Sequence, residues 1–159
     1  MRKMHATPQI LIRKVDKKTI GILIELIGKL AVYEKIPVPD LRAVRRIRAD
    51  CIGKNPRFEA YLLFRDAKPL GYMIVLMTYS SFLARPTLYI EDLFILEEER
   101  KNGLGKQLFS YAQKLAKKRR CGRMEWIVLD WNTPAIRFYE KHNGRHMDEW
   151  RLYRMVLDK

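Results

Sequence analysis

Cysteine is scarce: Cys51 and Cys121 are the only two in 159 residues. That excludes a disulfide framework, and neither thiol has the neighbours of a zinc or redox motif, so both read as reduced thiols of a cytoplasmic protein. His5, His142 and His146 give no metal-ligand spacing, and no metal site is expected. Long apolar runs are missing too. None approaches the roughly 18 residues a membrane span needs. The N-terminal MRKMHATPQILIRKVDKK has an apolar patch too short for a signal peptide's core. Acidic residues are in deficit, with 18 Asp+Glu against 32 Lys+Arg, a formal charge of +14 and a pI near 10.0. Such a field favours anionic partners: nucleic acid, phosphorylated cofactors or an anionic surface.

What is present is a chain 48% hydrophobic, long enough for one well-buried core, and a single domain over residues 1–159 is expected. Gln9 to Val15 reads as a strand. Ile20, Leu23, Ile24, Ile27 and Leu30 then recur at helical spacing to about Glu34. Pro37, Pro39 and Asp40 introduce a second, basic helix through Leu41, Val44, Ile47 and Cys51, which Gly53 and Pro56 close. Glu59–Arg65 and Leu70–Tyr79 read as strands around a turn at Asp66-Ala67-Lys68-Pro69. LYIEDLFIL, from Leu88, is apolar on both faces apart from Glu91 and Asp92, as a buried strand would be. A helix from Leu104, a strand at Met124–Leu129, a helix at Thr133–His142 and a final strand at Trp150–Leu157 complete the order β α α β β β α β α β.

Three groups could carry chemistry. Between the apolar strand and the third helix lies EERKNGLGKQL, with Gly103 and Gly105 one residue apart. Glycines let backbone amides approach a ligand closely, and the positive end of the following helix would face the same place, which suits an anion. The spacing is neither GxGxxG nor the P-loop, and from the loop alone a plain helix start fits equally well. Glu91 and Asp92 are adjacent, so strand alternation sends them to opposite faces; one should meet a polar cleft, because a charged pair in an apolar strand is costly otherwise. Tyr139, in Ala135-Ile136-Arg137-Phe138-Tyr139, taken by itself is a core aromatic on an amphipathic helix.

The arrangement strand, Arg100-Lys101-Asn102-Gly103-Leu104-Gly105, helix resembles the pyrophosphate-binding signature Arg-x-x-Gly-x-Gly of the GCN5-related N-acetyltransferases, the GNAT family. LIELIGKLAVYEK, LYIEDLFI, LDWNTPAIRFYEKHNG and DEWRLYRM extend the resemblance over most of the chain, and they look closest to the diamine branch of spermidine/spermine type. The resemblance implies an α+β fold with a mixed, mostly antiparallel sheet of about six to seven strands and about four helices. Acetyl-coenzyme A would lie in a splay between two parallel strands. Its pyrophosphate would sit on the amides of Lys101, Asn102, Gly103, Leu104, Gly105 and Lys106, with Arg100 and Lys106 offsetting charge. Its pantetheine would pair with the backbone of Leu93, Phe94 and Ile95, with Asn132 and Pro134 shaping a turn against it. Glu91 would bind the amine and accept its proton through water, and Tyr139 would protonate the leaving sulfur in a direct ternary-complex transfer.

For the acceptor, the resemblance implies a polyamine or diamine bound by Tyr33, Glu34, Glu91 and Glu149 or its neighbour Asp148. Tyr79-Ser80-Ser81-Phe82 departs from the branch, lacking an acidic residue and a tryptophan expected before the central strand, and the segment from Gly144 to Trp150 is short. Amino-acid side chains, antibiotics and protein amines therefore stay open as acceptors. A homodimer with the last strand packing across its interface is the implied assembly. A basic nucleic-acid-binding module is the alternative from another class, given LRAVRRIR at Leu41 and KKRR at Lys117. Neither run is interleaved with aromatics, which disfavours a single-strand platform.

Overall fold

The computed structural model describes residues 9–157. Contacts divide the chain into two compact units, one ending at Trp126 and one starting at Ile127.

The first unit is built on five strands in the order β1-β2-β3-β4-β5: β1 (Ile10–Lys14), β2 (Glu59–Arg65), β3 (Lys68–Ser80), β4 (Arg85–Ile95) and β5 (Arg123–Trp126). The first four run antiparallel, and β5 joins β4 in parallel. Helices α1 (Ile20–Glu34) and α2 (Leu41–Ile52) separate β1 from β2, and α3 (Leu104–Lys118) separates β4 from β5. This is the expected α+β sheet with two parallel strands, although five strands form among the described residues where six to seven were expected.

Strand alternation sorts the core into two layers. Ala60, Leu62, Phe64, Tyr72, Ile74 and Phe94 join Val15, Ile20, Leu23, Leu26 and Cys51 in one buried cluster, so this face lies under α1 and α2. On the other face, Tyr61 meets Tyr111 of α3 with ring centroids 5.1 Å apart, and α3 buries Leu104, Leu108, Phe109, Ala112 and Ala116. The apolar spacing of each helix is thus spent on its own sheet face. Asp40 caps α2 by accepting from the Ala43 amide at 2.7 Å, as its place ahead of the basic helix suggests. The α2 arginines Arg42, Arg45, Arg46 and Arg48 are exposed, and only Cys51 of that helix is fully buried.

The sheet departs from simple alternation at one point that matters. Val75 pairs with Ile90 and Ile74 with Asp92, leaving Glu91 as an extra residue in a β-bulge. In an unbroken strand Ile90 and Asp92 would share a face. Here Ile90 stays opposite Val75, while Asp92 is moved to the face of Ile74 and α1. Alternation, on which the expectation of opposite faces for Glu91 and Asp92 rests, does not hold across this bulge.

In the second unit, α4 (Thr133–Lys141) is the regular element among the described residues. The expected strand at Met124–Leu129 is shortened to β5. Trp150–Leu157 forms no strand: Arg151 and Arg154 break its apolar residues into runs rather than an alternation, and no strand among the described residues pairs with it. Tyr153 is 84% and Leu157 86% exposed.

Candidate active site

The end of β4 and the loop after it form the first half of the site. β5 accompanies β4 only from Thr87 to Ile90, so β4 runs on past it from Glu91 to Ile95 without a parallel neighbour among the described residues. The Leu96 amide donates to Leu70 at 2.9 Å on the β3 side. Antiparallel alternation then turns the amides of Ile95 and Leu93 away from β3, toward the side that β5 has left. Phe94 turns its amide to β3, and its buried ring packs at 5.9 Å from Tyr72.

Gly71, opposite Ile95, makes the close strand approach possible. A Cβ there would run into the Phe94 carbonyl oxygen and lie 2.7 Å from Ile95 Cδ1. A short 3-10 turn, Glu97–Glu99, leads to the glycine loop. Glu99 is buried, with Arg65 Nη1 at 2.9 Å and Lys68 Nζ at 2.8 Å, and its carbonyl accepts from Asn102 Nδ2 at 3.3 Å. These two cations hold its carboxyl below the usual range, so the charge nearest the loop is already neutralised. Lys101 (φ 66°) and Gly103 (φ 74°) both take left-handed conformations, and Gly103 is the N-cap of α3. No side chain caps that end, no acid lies in its first turn, and open space surrounds the Gly103 Cα. The first-turn amides of Leu104, Gly105 and Lys106 have no intrahelical acceptor, so the cradle fits a phosphate. The Leu104 side chain itself is core.

Arg100 behaves differently from its neighbours. Its Nε donates to the Ile95 carbonyl at 3.1 Å, and its guanidinium carbon lies 4.4 Å from the Tyr33 ring centroid and 5.8 Å from that of Phe94. Tyr33 and Glu34 end α1, which Lys35 closes in a left-handed conformation.

A carboxylate cluster forms the second half. The Tyr72 hydroxyl donates to Asp92 Oδ2 at 3.0 Å. Burial raises the Asp92 carboxyl to about 6; the Tyr72 hydrogen bond opposes the shift, and the negative charges of Glu91 and Glu34 add to it. Burial likewise raises Glu34, and Tyr72 is pushed well above the phenol range by burial and by Asp92, Glu34 and Glu91. Glu34, Glu91 and Asp92 take part in none of the ion pairs among the described residues. A strongly basic protein thus keeps a patch of uncompensated negative charge, suited to a cation. Sequence reasoning named Glu34 and Glu91 but gave Asp92 no role, and it missed Tyr72. A tyrosine in an otherwise apolar buried strand was the available signal, since a buried phenol seeks a partner.

In the second unit, Asn132 caps α4 by accepting from the Ala135 amide at 3.4 Å, with Pro134 in the first turn, as the sequence suggested. Tyr139 is partly buried, its ring 5.1 Å from that of Phe138. Asp148 lies 2.6 Å from His146, and Glu149 is exposed. No cluster of His, Cys, Asp and Glu among the described residues could hold a metal ion, and no described helix is long and apolar enough to cross a membrane.

A β4 that outruns its parallel neighbour, followed by a helix start that no side chain caps, is an arrangement that suits an enzyme binding a phosphorylated donor. The chain belongs to the acetyltransferase (GNAT) family, whose model matches residues 29–144. It is 44% identical over 113 residues to an L-ornithine N5-acetyltransferase of Arabidopsis thaliana, covering 70% of this chain and 50% of that one. It is 29% identical over 156 residues to a thialysine N-epsilon-acetyltransferase of Sus scrofa, covering 91% of each. The match thus spans half of the first relative's length and nearly all of the second's. Among solved structures, a probable acetyltransferase superposes with a TM-score of 0.81 at 18% identity, over 94% of this chain and 99% of that one. The aminoglycoside N-acetyltransferase AAC(6')-Iy in complex with CoA gives 0.77 at 17%, over 97% and 99%. Both share the fold.

Proposed function

We propose that the enzyme acetylates a primary amine of a small aliphatic molecule carrying a second cationic nitrogen, a diamine or polyamine, with acetyl-coenzyme A as donor. The observation that carries this reading is the convergence of Glu34, Glu91 and Asp92 beside Tyr72, with no ion pair to any of the three among the described residues. Acetyl-coenzyme A supplies the acyl group as an activated thioester. The amides of Lys101 to Lys106 receive its phosphates, with Lys106 adding charge, and the outward amides of Leu93 and Ile95 serve its pantetheine and the reacting carbonyl.

Asp92 and Glu34 hold the cationic acceptor. Glu91, through water, takes the proton that the ammonium must lose before its nitrogen has a lone pair. Tyr139 holds the proton that goes to sulfur as the carbon–nitrogen bond forms and the carbon–sulfur bond breaks, a role that rests on the family resemblance. The same resemblance assigns Asn132 and Pro134 to the turn at the pantetheine. Tyr33 lines the acceptor side, and Glu149 is the further acceptor acid of the resemblance. The exposed apolar residues of 150–157 support a homodimer that covers them, which sedimentation velocity would detect as a doubled mass.

A second reading, the side-chain amine of a basic amino acid, is favoured by the ornithine and thialysine acetyltransferases to which the chain is similar. Thiol release from acetyl-coenzyme A decides between them when putrescine, spermidine, L-ornithine, thialysine, an aminoglycoside and a peptide are compared. Putrescine is ornithine without its carboxylate, so the ratio of their kcat/KM isolates that group. The first reading expects putrescine or spermidine ahead by about tenfold or more, and ornithine ahead by as much would replace it. Tyr139→Phe should lower kcat by about 10²-fold and Glu91→Gln by a similar factor; unchanged rates at every pH would remove those assignments.

A further inference from the structure

Arg100 opens the glycine loop, yet its side chain is committed elsewhere. Its Nε is tied to the Ile95 carbonyl and its guanidinium covers the Tyr33 ring, with the Phe94 ring on the edge of the same contact. We propose that Arg100 is a positioning residue for the acceptor side, fastening the last turn of α1, and with it Glu34, to the end of β4. The proposal rests on the acetyltransferase reading above and assigns the Arg100 side chain to the acceptor, leaving the phosphates to the loop amides.

Three observations lead there. The last turn of α1 is thinly anchored: beyond Leu26 only Ala31 is fully buried, and Val32 and Ile36 on either side of Tyr33 and Glu34 are exposed. Ile27 and Leu30 pack against the core just before it, and the stacked guanidinium adds a contact at Tyr33 itself. Secondly, the Phe94 ring continues the contact to Tyr72, whose hydroxyl holds Asp92. One cation thus braces both carboxylate-bearing walls, Glu34 through Tyr33 and Asp92 through Phe94 and Tyr72. Thirdly, Arg100 forms no ion pair with Glu34 or Asp92 among the described residues. The acids stay free for the amine. A planar guanidinium can stack and donate at its edge at once, which an ammonium cannot do, so lysine is not an equivalent at this position.

The test compares wild type with Arg100→Met, Arg100→Lys, Tyr33→Leu and the Arg100→Met/Tyr33→Leu double variant. Calorimetric titration with coenzyme A should give Kd values within about twofold of wild type for all of them, while KM for putrescine, spermidine or L-ornithine rises about five- to tenfold and kcat stays within about twofold. Lysine should fail to rescue, and the double variant should be no worse than either single one, as two halves of one contact require. A tenfold weaker coenzyme A affinity in Arg100→Met with an unmoved amine KM would overturn the proposal, as would additive effects in the double variant. If the wild type binds coenzyme A but acetylates none of the three amines, the substrate reading fails. The melting temperatures of wild type, Arg100→Met, Tyr33→Leu and the double variant then still decide, non-additive losses supporting the Arg100–Tyr33 fastening and additive ones ending it.

Discussion

Burial and two neighbouring carboxylates raise the Asp92 carboxyl to about 6, with the Tyr72 hydroxyl opposing them. Folding therefore binds a proton between the ordinary carboxylate range and pH 6, and stability falls as pH rises through that window. Above about pH 6 the deficit is complete, on the order of 2–3 kcal/mol. Asparagine keeps an acceptor for Tyr72 and removes the charge, so Asp92→Asn should raise the melting temperature at pH 8 and leave it nearly unchanged at pH 4. The same variant should raise the amine KM by tenfold or more, on the order expected for a lost charge-assisted contact. Thermal unfolding at both pH values, with kinetics alongside, checks this; a variant less stable at pH 8 would mean that Asp92 is not strained in the free enzyme. The residue was on the page as half of Glu91-Asp92. Its role was hidden because alternation assigns faces only in an unbroken strand, and the bulge that moves it is a property of the β3–β4 pairing.

At the scale of elements, the site depends on how β3 packs against β4 where β4 passes the end of β5. Gly71 sets their spacing, because an added Cβ meets the Phe94 carbonyl and Ile95. Backbone on both sides leaves little room to relax, so Gly71→Ala should destabilise by about 1–3 kcal/mol. It should also shift the Leu93 and Ile95 amides and weaken coenzyme A binding beyond the loss of folded protein. Chemical denaturation together with titration at a temperature where both proteins are folded checks the two parts; an alanine variant with unchanged affinity would uncouple the strand spacing from the donor site.

The helices were well marked in the sequence, since apolar spacing, Asp40 and Asn132 as caps, and Pro134 each act locally. Glycine in the middle of an apolar strand gave a weaker signal, as the atom it makes room for comes from a strand about 20 residues away. The final strand failed as an expectation for the same kind of reason. Trp150–Leu157 is rich in apolar and aromatic residues, as a strand often is, and such a composition does not state what pairs with the backbone.

Over the whole molecule, a charge of +14 surrounds a cluster of three acids that carries no counter-ion among the described residues. For the proposed pair of substrates, donor and acceptor meet opposite fields. An anionic donor is drawn in from a distance by the whole surface, whereas a cationic acceptor is repelled until it is within a few ångströms of Glu34, Glu91 and Asp92. Screening shortens the long-range field and leaves the close, partly buried contacts almost intact: the Debye length falls from about 30 Å at 0.01 M salt to about 8 Å at 0.15 M. Raising salt across that range should increase KM for acetyl-coenzyme A several-fold, roughly three- to tenfold, while KM for putrescine or spermidine stays level or falls. The alternative of a nucleic-acid-binding module has its own signature on the same axis, a steep loss of binding to a mixed-sequence duplex with no accompanying thiol release. Steady-state kinetics at four or five salt concentrations separate these outcomes. Parallel increases in both KM values would show that the acceptor is not a cation held against the global field, and would redirect the search toward acceptors carrying an anionic group.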